Sequence, residues 1–183
     1  MSAVYLIRHG RTEANDRHLY CGSTDLPLSE SGRQALGELP YHLPPAQFLT
    51  SGMVRTEETL SLLFGDVPHI REPRFREIDF GVFEMHSYEE LKDRKDYQDW
   101  ISGDNDANIP PEGESGNAMT NRVLEALEPL LRQEETTVVI THGGVIAAIM
   151  AHLFPKEGKS RYDWQPRPGC GYAIENGTYR PLP

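Results

Sequence analysis

The feature that most constrains this chain is an alternation of short apolar strands with amphipathic helical runs along its length. Val4 to Arg8 reads as a first strand. Ser29 stands where an N-cap opens a helix through about Leu39, and Pro40 stops it. Gln47 to Ser51 reads as a second strand, followed by a helix over Val54 to Phe64. Val67 to Ile70 is a weaker, proline-bounded strand. The stretch from Phe75 to Ser115 is less regular, with short helices expected at Tyr88–Asp93 and Tyr97–Ile101 before a polar loop. Ala118 to Arg132 carries Val123, Leu124, Leu127, Leu130 and Leu131 on one helical face. Thr136 to Thr141 is a strand of β-branched residues, and Gly144 opens a helix through about Leu153. Cys170 to Arg180, with Asn176-Gly177 as its turn, predicts a closing hairpin. Alternation of this kind predicts an α/β sandwich with a mainly parallel sheet. No repeat or linker interrupts the 183 residues, so the expectation is a single domain over 1–183.

Ligands of such sheets collect at the carboxyl ends of the strands. Arg8-His9-Gly10 follows the first strand, Thr141-His142-Gly143-Gly144 follows the one near residue 140, and Arg55 comes soon after the strand ending at Ser51. Two histidines and two arginines therefore converge on one edge of the sheet. An arginine fork suits phosphate oxygens. The chain carries 18 Lys and Arg against 28 Asp and Glu, a net charge of −10, which argues against broad electrostatic binding of nucleic acid. A small anionic substrate needs only a local cluster of cations.

No apolar run reaches the ~18 residues that span a bilayer. The first residues lack a basic leader followed by a long apolar stretch, so the expectation is a cytoplasmic protein with no membrane partner. Cys21 and Cys170 have no second cysteine nearby and read as two reduced thiols. Neither is followed by arginine at a cysteine-phosphatase spacing. Gly113-Glu114-Ser115-Gly116 has the wrong spacing for a serine nucleophile elbow. Asp104-Asn105-Asp106 lies in a polar stretch, not after an apolar strand. Asp79-Phe80-Gly81 lacks the companions of a kinase motif. No H-E-x-x-H or comparable cluster calls for a metal, and no cofactor is expected. His18, His42, His69, His86 and His152 read as surface or packing histidines, with His86 carrying a second reading at a pocket mouth.

Arg8-His9-Gly10-x-Thr12-x-x-Asn15 resembles the signature of the histidine phosphatase superfamily, the phosphoglycerate mutase-like group. The likeness continues at Gly22 and at Asp25-Leu26-Pro27-Leu28-Ser29-x-x-Gly32. It returns at Ser51-Gly52-Met53-Val54-Arg55-Thr56-x-x-Thr59 and at Arg76-Glu77-Ile78-Asp79-Phe80-Gly81-x-Phe83-Glu84. Gly113-Glu114-Ser115 and Thr141-His142-Gly143-Gly144 complete it, in the family's order. The resemblance implies a three-layer α/β/α sandwich of the phosphoglycerate mutase-like type and a phosphomonoester hydrolase acting through a phosphohistidine.

It also implies roles. His9 is the nucleophile, a neutral imidazole whose other ring nitrogen donates to a fixed acceptor. Arg8, Arg55 and His142 surround the phosphoryl group. Glu77 is the general acid, with Glu84 the competing carboxylate read as a structural or pocket-wall residue. Asn15, backbone N–H groups near Gly22, and Gly143 complete the substrate-binding set. Two positions depart from the pattern. Cys21 stands beside Gly22 where hydroxyl residues are frequent and is left out of the site. Met85 stands where glycine commonly follows the glutamate, which puts that turn in question.

The short interval between Glu77 and His142 lacks the basic insert of the family's mutases, so a phosphatase is favoured over a mutase-type phosphoryl transferase. Phe80-Gly81-Val82-Phe83-Glu84 and Tyr162-Asp163-Trp164-Gln165 resemble small bacterial phosphatases of the α-ribazole phosphatase type, in cobalamin assembly. That makes α-ribazole 5′-phosphate the candidate among small phosphorylated metabolites. A non-catalytic relative that binds a phospho-ligand is the rival from another class, and the sequence leaves a homodimer open.

Overall fold

Six strands form one mixed sheet in the computed structural model, which describes residues 3–183. They are β1 (Val4–Arg8), β2 (Gln47–Thr50), β3 (His69–Arg71), β4 (Thr137–Thr141), β5 (Gly171–Glu175) and β6 (Thr178–Leu182), in spatial order β3-β2-β4-β1-β5-β6. The first four in that order run parallel, and β5–β6 joins β1 as an antiparallel hairpin. Side chains on a strand alternate between faces, and here both faces are covered. Val4, Leu6, Val139 and Ile174 pack on one side against α6 (Gly116–Arg132) and α7 (Gly143–Leu153). Tyr5, Ile7, Val138 and Ile140 pack on the other against Leu60 of α3 (Val54–Phe64). The result is the expected three-layer sandwich. Each buried aliphatic of this size contributes about 1.5–3 kcal/mol relative to exposure.

Five shorter helices complete the chain: α1 (Glu13–Asp16), α2 (Glu30–Gly37), α4 (Tyr88–Leu91), α5 (Lys95–Ile101) and α8 (Arg161–Trp164). Ser29 caps α2 through the Gly32 N–H, and Ser115 caps α6 through the Ala118 N–H, which is why α6 opens before Ala118. The helix α2 stops at Gly37, short of Leu39, because glycine is a poor helix former and the Leu39 N–H turns back to Leu36. The third strand starts at His69 and reaches Arg71, later than the sequence predicts. Val67 is used in a turn to Gly65, and Pro68 has no N–H to give a ladder. The helix α5 starts at Lys95, earlier than expected. The single-turn α1 and α8 are too short to show periodicity, though each carries a capping box, Thr12 with Asn15 and Ser160 with Asp163.

The irregular middle folds around an aromatic nucleus of its own. Phe83, Leu91 and Tyr97 are buried there, with Tyr20, Phe80 and Trp100 packed against them. Met85 sits at φ 61°, the left-handed region that glycine would favour, and its N–H still reaches the Tyr20 carbonyl at 2.7 Å. The turn questioned on sequence is therefore kept without its glycine. No helix of the described residues is long and apolar enough to cross a membrane.

Candidate active site

Parallel pairing sets Arg8 of β1 level with Thr141 of β4, so the residues that follow each strand are neighbours. The His9 N–H donates to the Thr141 carbonyl at 2.9 Å, and the rings of His9 and His142 meet edge-on at 5.1 Å. His9 is only 6% exposed, and its Nδ1 lies 2.6 Å from the Gly10 carbonyl oxygen. A carbonyl can only accept, so Nδ1 holds the proton and Nε2 keeps a bare lone pair. Burial, then the positive field of Arg55 and Arg8, holds the His9 pKa well below the ordinary histidine range. The imidazole is neutral. Fully buried His142 is depressed for the same reason, burial first and then Arg55, His9 and Arg8.

Arg55 comes from the first turn of α3 and is 1% exposed. Its guanidinium donates to the carbonyls of Thr24 and Gly22, each at 2.8 Å, so it is fixed in place by groups that carry no counter-charge. Arg8 donates to the Pro166 carbonyl at 2.7 Å, while its Nε is buried with no partner among the described residues. Buried cations of this kind are costly unless an anion arrives.

Glu77 faces the same space. One carboxylate oxygen accepts the Gly144 N–H at 2.9 Å and the other the Ile78 N–H at 3.1 Å. A Cβ on Gly144 would come within 2.5 Å of this carboxylate, and one on Gly143 within 3.0 Å of the Arg8 guanidinium carbon. The Gly-Gly pair is what allows acid and arginine to close on the start of α7. Arg122 fixes the segment before it, binding Glu114 bidentately and the carbonyls of Arg74, Arg76 and Glu77.

Glu84 does a different job from Glu77. Its carboxylate accepts the backbone N–H groups of Gly22, Ser23, Thr24 and Phe80 and the Thr24 hydroxyl. It thereby holds the loop whose carbonyls hold Arg55. The sequence places backbone N–H groups near Gly22 at the substrate, and the first of these is that of Gly22. That N–H is committed to Glu84, and a Cβ there would fall 1.7 Å from the Ile78 carbonyl oxygen. Glu84→Gln replaces one acceptor with a donor facing N–H groups and is expected to cost on the order of 2 kcal/mol. Thermal unfolding should show the lower melting temperature, with KM rising equally for all leaving groups. An unchanged melting temperature would remove Glu84 from this support role.

The cleft in front of these groups has a volume of about 690 Å³. Arg8, His9, Arg55, Glu77 and Asn15 all line it. Asn15 uses its carboxamide oxygen on the Thr12 N–H, which leaves the amide nitrogen as the end not engaged in the cap. Gly143 is buried beneath Arg8 and Gln165 instead of facing the cleft; Gly144 is the glycine that lines it. Cys21, left out on sequence, does line it, with its thiol on the Thr24 carbonyl and pushed up by burial. His86 does not; its Nδ1 is turned to the Glu84 carbonyl. His152 does. So do Tyr20, Phe80 and Trp100, whose ring centroids stand 5.0 to 6.0 Å apart. Sequence reasoning also missed Ser51 as a partner of His142, Arg122 as a brace and Gln165 in the lining. Ser51 and Gln165 lay inside quoted motifs, whereas nothing local marks Arg122. Among the described residues no group of three or more His, Cys, Asp or Glu could hold a metal ion.

Comparison with known proteins bears on the family and the fold. The sequence model of the histidine phosphatase superfamily (branch 1) matches residues 4–180. An adenosylcobalamin/alpha-ribazole phosphatase of Salmonella typhimurium (strain LT2) is 31% identical, over 94% of this chain and 89% of its own length. A probable phosphoglycerate mutase, GpmB, of Enterobacter sp. (strain 638) is 30% identical, over 84% of this chain and 75% of its own. A crystal structure from Escherichia coli, provisionally assigned as an alpha-ribazole-5′-P phosphatase, superposes with a TM-score of 0.84 at 28% identity, covering 99% of this chain and 95% of that one.

Proposed function

The chain belongs to the histidine phosphatase superfamily and is a phosphatase of that type, and we propose that His9 is its nucleophile and Glu77 its general acid. The observation that carries this is the His9 ring: proton fixed on Nδ1 by Gly10, lone pair bare on Nε2, buried Arg55 and half-buried Arg8 alongside. Nε2 attacks phosphorus, the P–O bond to the leaving group breaks, and Glu77 gives that oxygen its proton. Water then attacks the phosphohistidine, Glu77 takes its proton, and inorganic phosphate leaves with His9 restored. Arg8, Arg55 and His142 offset the charge on the equatorial oxygens throughout. Asn15 contributes its amide nitrogen to the same group, and Gly22 and Gly143 serve by making room.

The substrate is a small phosphorylated metabolite, and α-ribazole 5′-phosphate is its best candidate. Relatives carrying that name support it. So does the aromatic wall of Tyr20, Phe80 and Trp100, which suits a leaving group with a flat apolar ring. The net charge of −10 disfavours a nucleic-acid partner, and we place the enzyme in the cytoplasm, as one domain over 1–183, monomeric or homodimeric.

Phosphate release from α-ribazole 5′-phosphate, measured beside a generic aryl phosphate and a phosphoglycerate mutase assay, tests the reading. The expected result is hydrolysis of both phosphomonoesters, at least about tenfold higher kcat/KM for the ribazole ester, and no interconversion of phosphoglycerates. Excess chelator should leave the rate unchanged, since Arg8 and Arg55 supply the positive charge. Interconversion without net hydrolysis, or loss in chelator with rescue by magnesium or zinc, would overturn it.

A further inference from the structure

We propose that Ser51 is a positioning residue, whose hydroxyl donates to Nε2 of His142 and so holds that ring's proton on Nδ1, making His142 a neutral donor to the phosphoryl group. The inference depends on the phosphatase reading of the pocket and adds to it the protonation form of the second histidine.

The argument is a count of hydrogens. Ser51, Thr56 and His142 are all fully buried. The Thr56 hydroxyl lies 2.7 Å from the Met53 carbonyl oxygen, which can only accept, so the one proton of Thr56 is committed there. Ser51 Oγ accepts the Met53 N–H at 3.4 Å. Its own proton has two destinations: Thr56 Oγ1 at 3.1 Å, or His142 Nε2 at the shorter 2.8 Å. In the first case Nε2 would carry the imidazole proton and Nδ1 would present a lone pair. In the second Nε2 accepts and Nδ1 carries the N–H.

The surroundings of Nδ1 decide between them. It is buried with no partner among the described residues. His142 occupies the N-cap position of α7 but makes no cap bond, and the Gly144 N–H nearby goes to Glu77. Nothing among the described residues therefore gives Nδ1 a proton to accept. The His142 ring meets that of His9 edge-on at 5.1 Å, and a phosphoryl group carried on His9 would repel a lone pair and attract an N–H. Burial and the field of Arg55, His9 and Arg8 keep the ring from taking a second proton. One proton on Nδ1 with Ser51 donating to Nε2 satisfies every group once the anion is in place.

The test is nitrogen NMR of the full chain with ¹⁵N-labelled histidine, using inorganic phosphate as the probe at neutral pH. The His142 signals are identified by their loss in His142→Gln. With phosphate bound, Nδ1 is expected to resonate as a protonated nitrogen and Nε2 as a bare one. Ser51→Ala should scramble this pattern and lower kcat for an aryl phosphate about tenfold, the scale of one lost hydrogen bond. Ser51→Thr, which keeps the hydroxyl, should restore both. A protonated Nε2 in the phosphate-bound wild type, alone or together with Nδ1, overturns the proposal even if Ser51→Ala fails to fold. So does a Ser51→Ala enzyme with pattern and rate intact. If phosphate alters neither His9 nor His142, the pocket itself has been misread. Hydrolysis of the aryl phosphate reports on that separately.

Discussion

His9→Ala is expected to lose at least about 10⁴-fold in turnover while remaining folded, since removal of one member of a catalytic unit typically costs this much or more. The side chains nearest it are already committed. His142 has Nε2 on Ser51, Glu77 is tied to two backbone N–H groups, and the Cys21 thiol is raised by burial, away from the reactive thiolate. The fold should survive because the imidazole is held by a neighbour's carbonyl, not by the hydrophobic layers. Quenching the wild type with labelled substrate should trap an acid-labile, base-stable phosphoenzyme. A second consequence concerns pH. The His9 pKa lies well below 6.5 in the folded protein, so the nucleophile stays in its active, neutral form down through that value. The acid limb of kcat/KM should accordingly fall well below pH 6.5. Label found on Cys21 or a serine, or appreciable turnover by His9→Ala, would sink the mechanism.

Glu77→Gln should slow cleavage of an alkyl phosphate by about 10² to 10⁴-fold, the usual worth of a positioned general acid. An alkoxide is a poor leaving group and needs the proton, whereas nitrophenolate departs readily without it. The penalty on the pre-steady-state burst with nitrophenyl phosphate should therefore be much smaller. The burst isolates the first step, because the same carboxylate also activates water in the second. Glu84→Gln should show no dependence on the leaving group, since its oxygens are filled by five donors from residues 22–24 and 80. If the two mutants exchange behaviour the acid is Glu84. If neither responds to the leaving group, the proton comes from elsewhere.

Much of this architecture is legible in the sequence because it depends on local signals. The β-branched run at Thr137–Thr141 and the apolar face of α6 have strong periods, and α3 occupies the residues the pattern assigns. The convergence of His9, His142 and Arg55 follows from strand ends in a parallel sheet, before any motif is considered. What escaped depends on contacts distant in the chain. Glu84 and Glu77 are equivalent on paper, and only the approach of residues 22–24 turns one into a backbone anchor. The same approach commits the Gly22 N–H to Glu84. Arg122 lies on the polar side of a helix in sequence, yet its bonds to three carbonyls brace the segment that presents Glu77. The alternative acceptors of Ser51 were invisible without geometry.

The aromatic nucleus of the middle segment has a consequence for how such an enzyme diversifies. The groups around phosphorus other than Glu77 stand at the ends of buried central strands and at the start of α3 and α7, whereas Phe80, Phe83, Tyr97 and Trp100 belong to an excursion with its own packing. The proposed leaving-group wall and the phosphate-binding strand ends are thus carried mostly on separate stretches of chain. Substitutions in the excursion can retune which alcohol is released without disturbing the strand ends that handle phosphorus. A lineage can explore new metabolites there one side chain at a time, keeping a working reaction at every step.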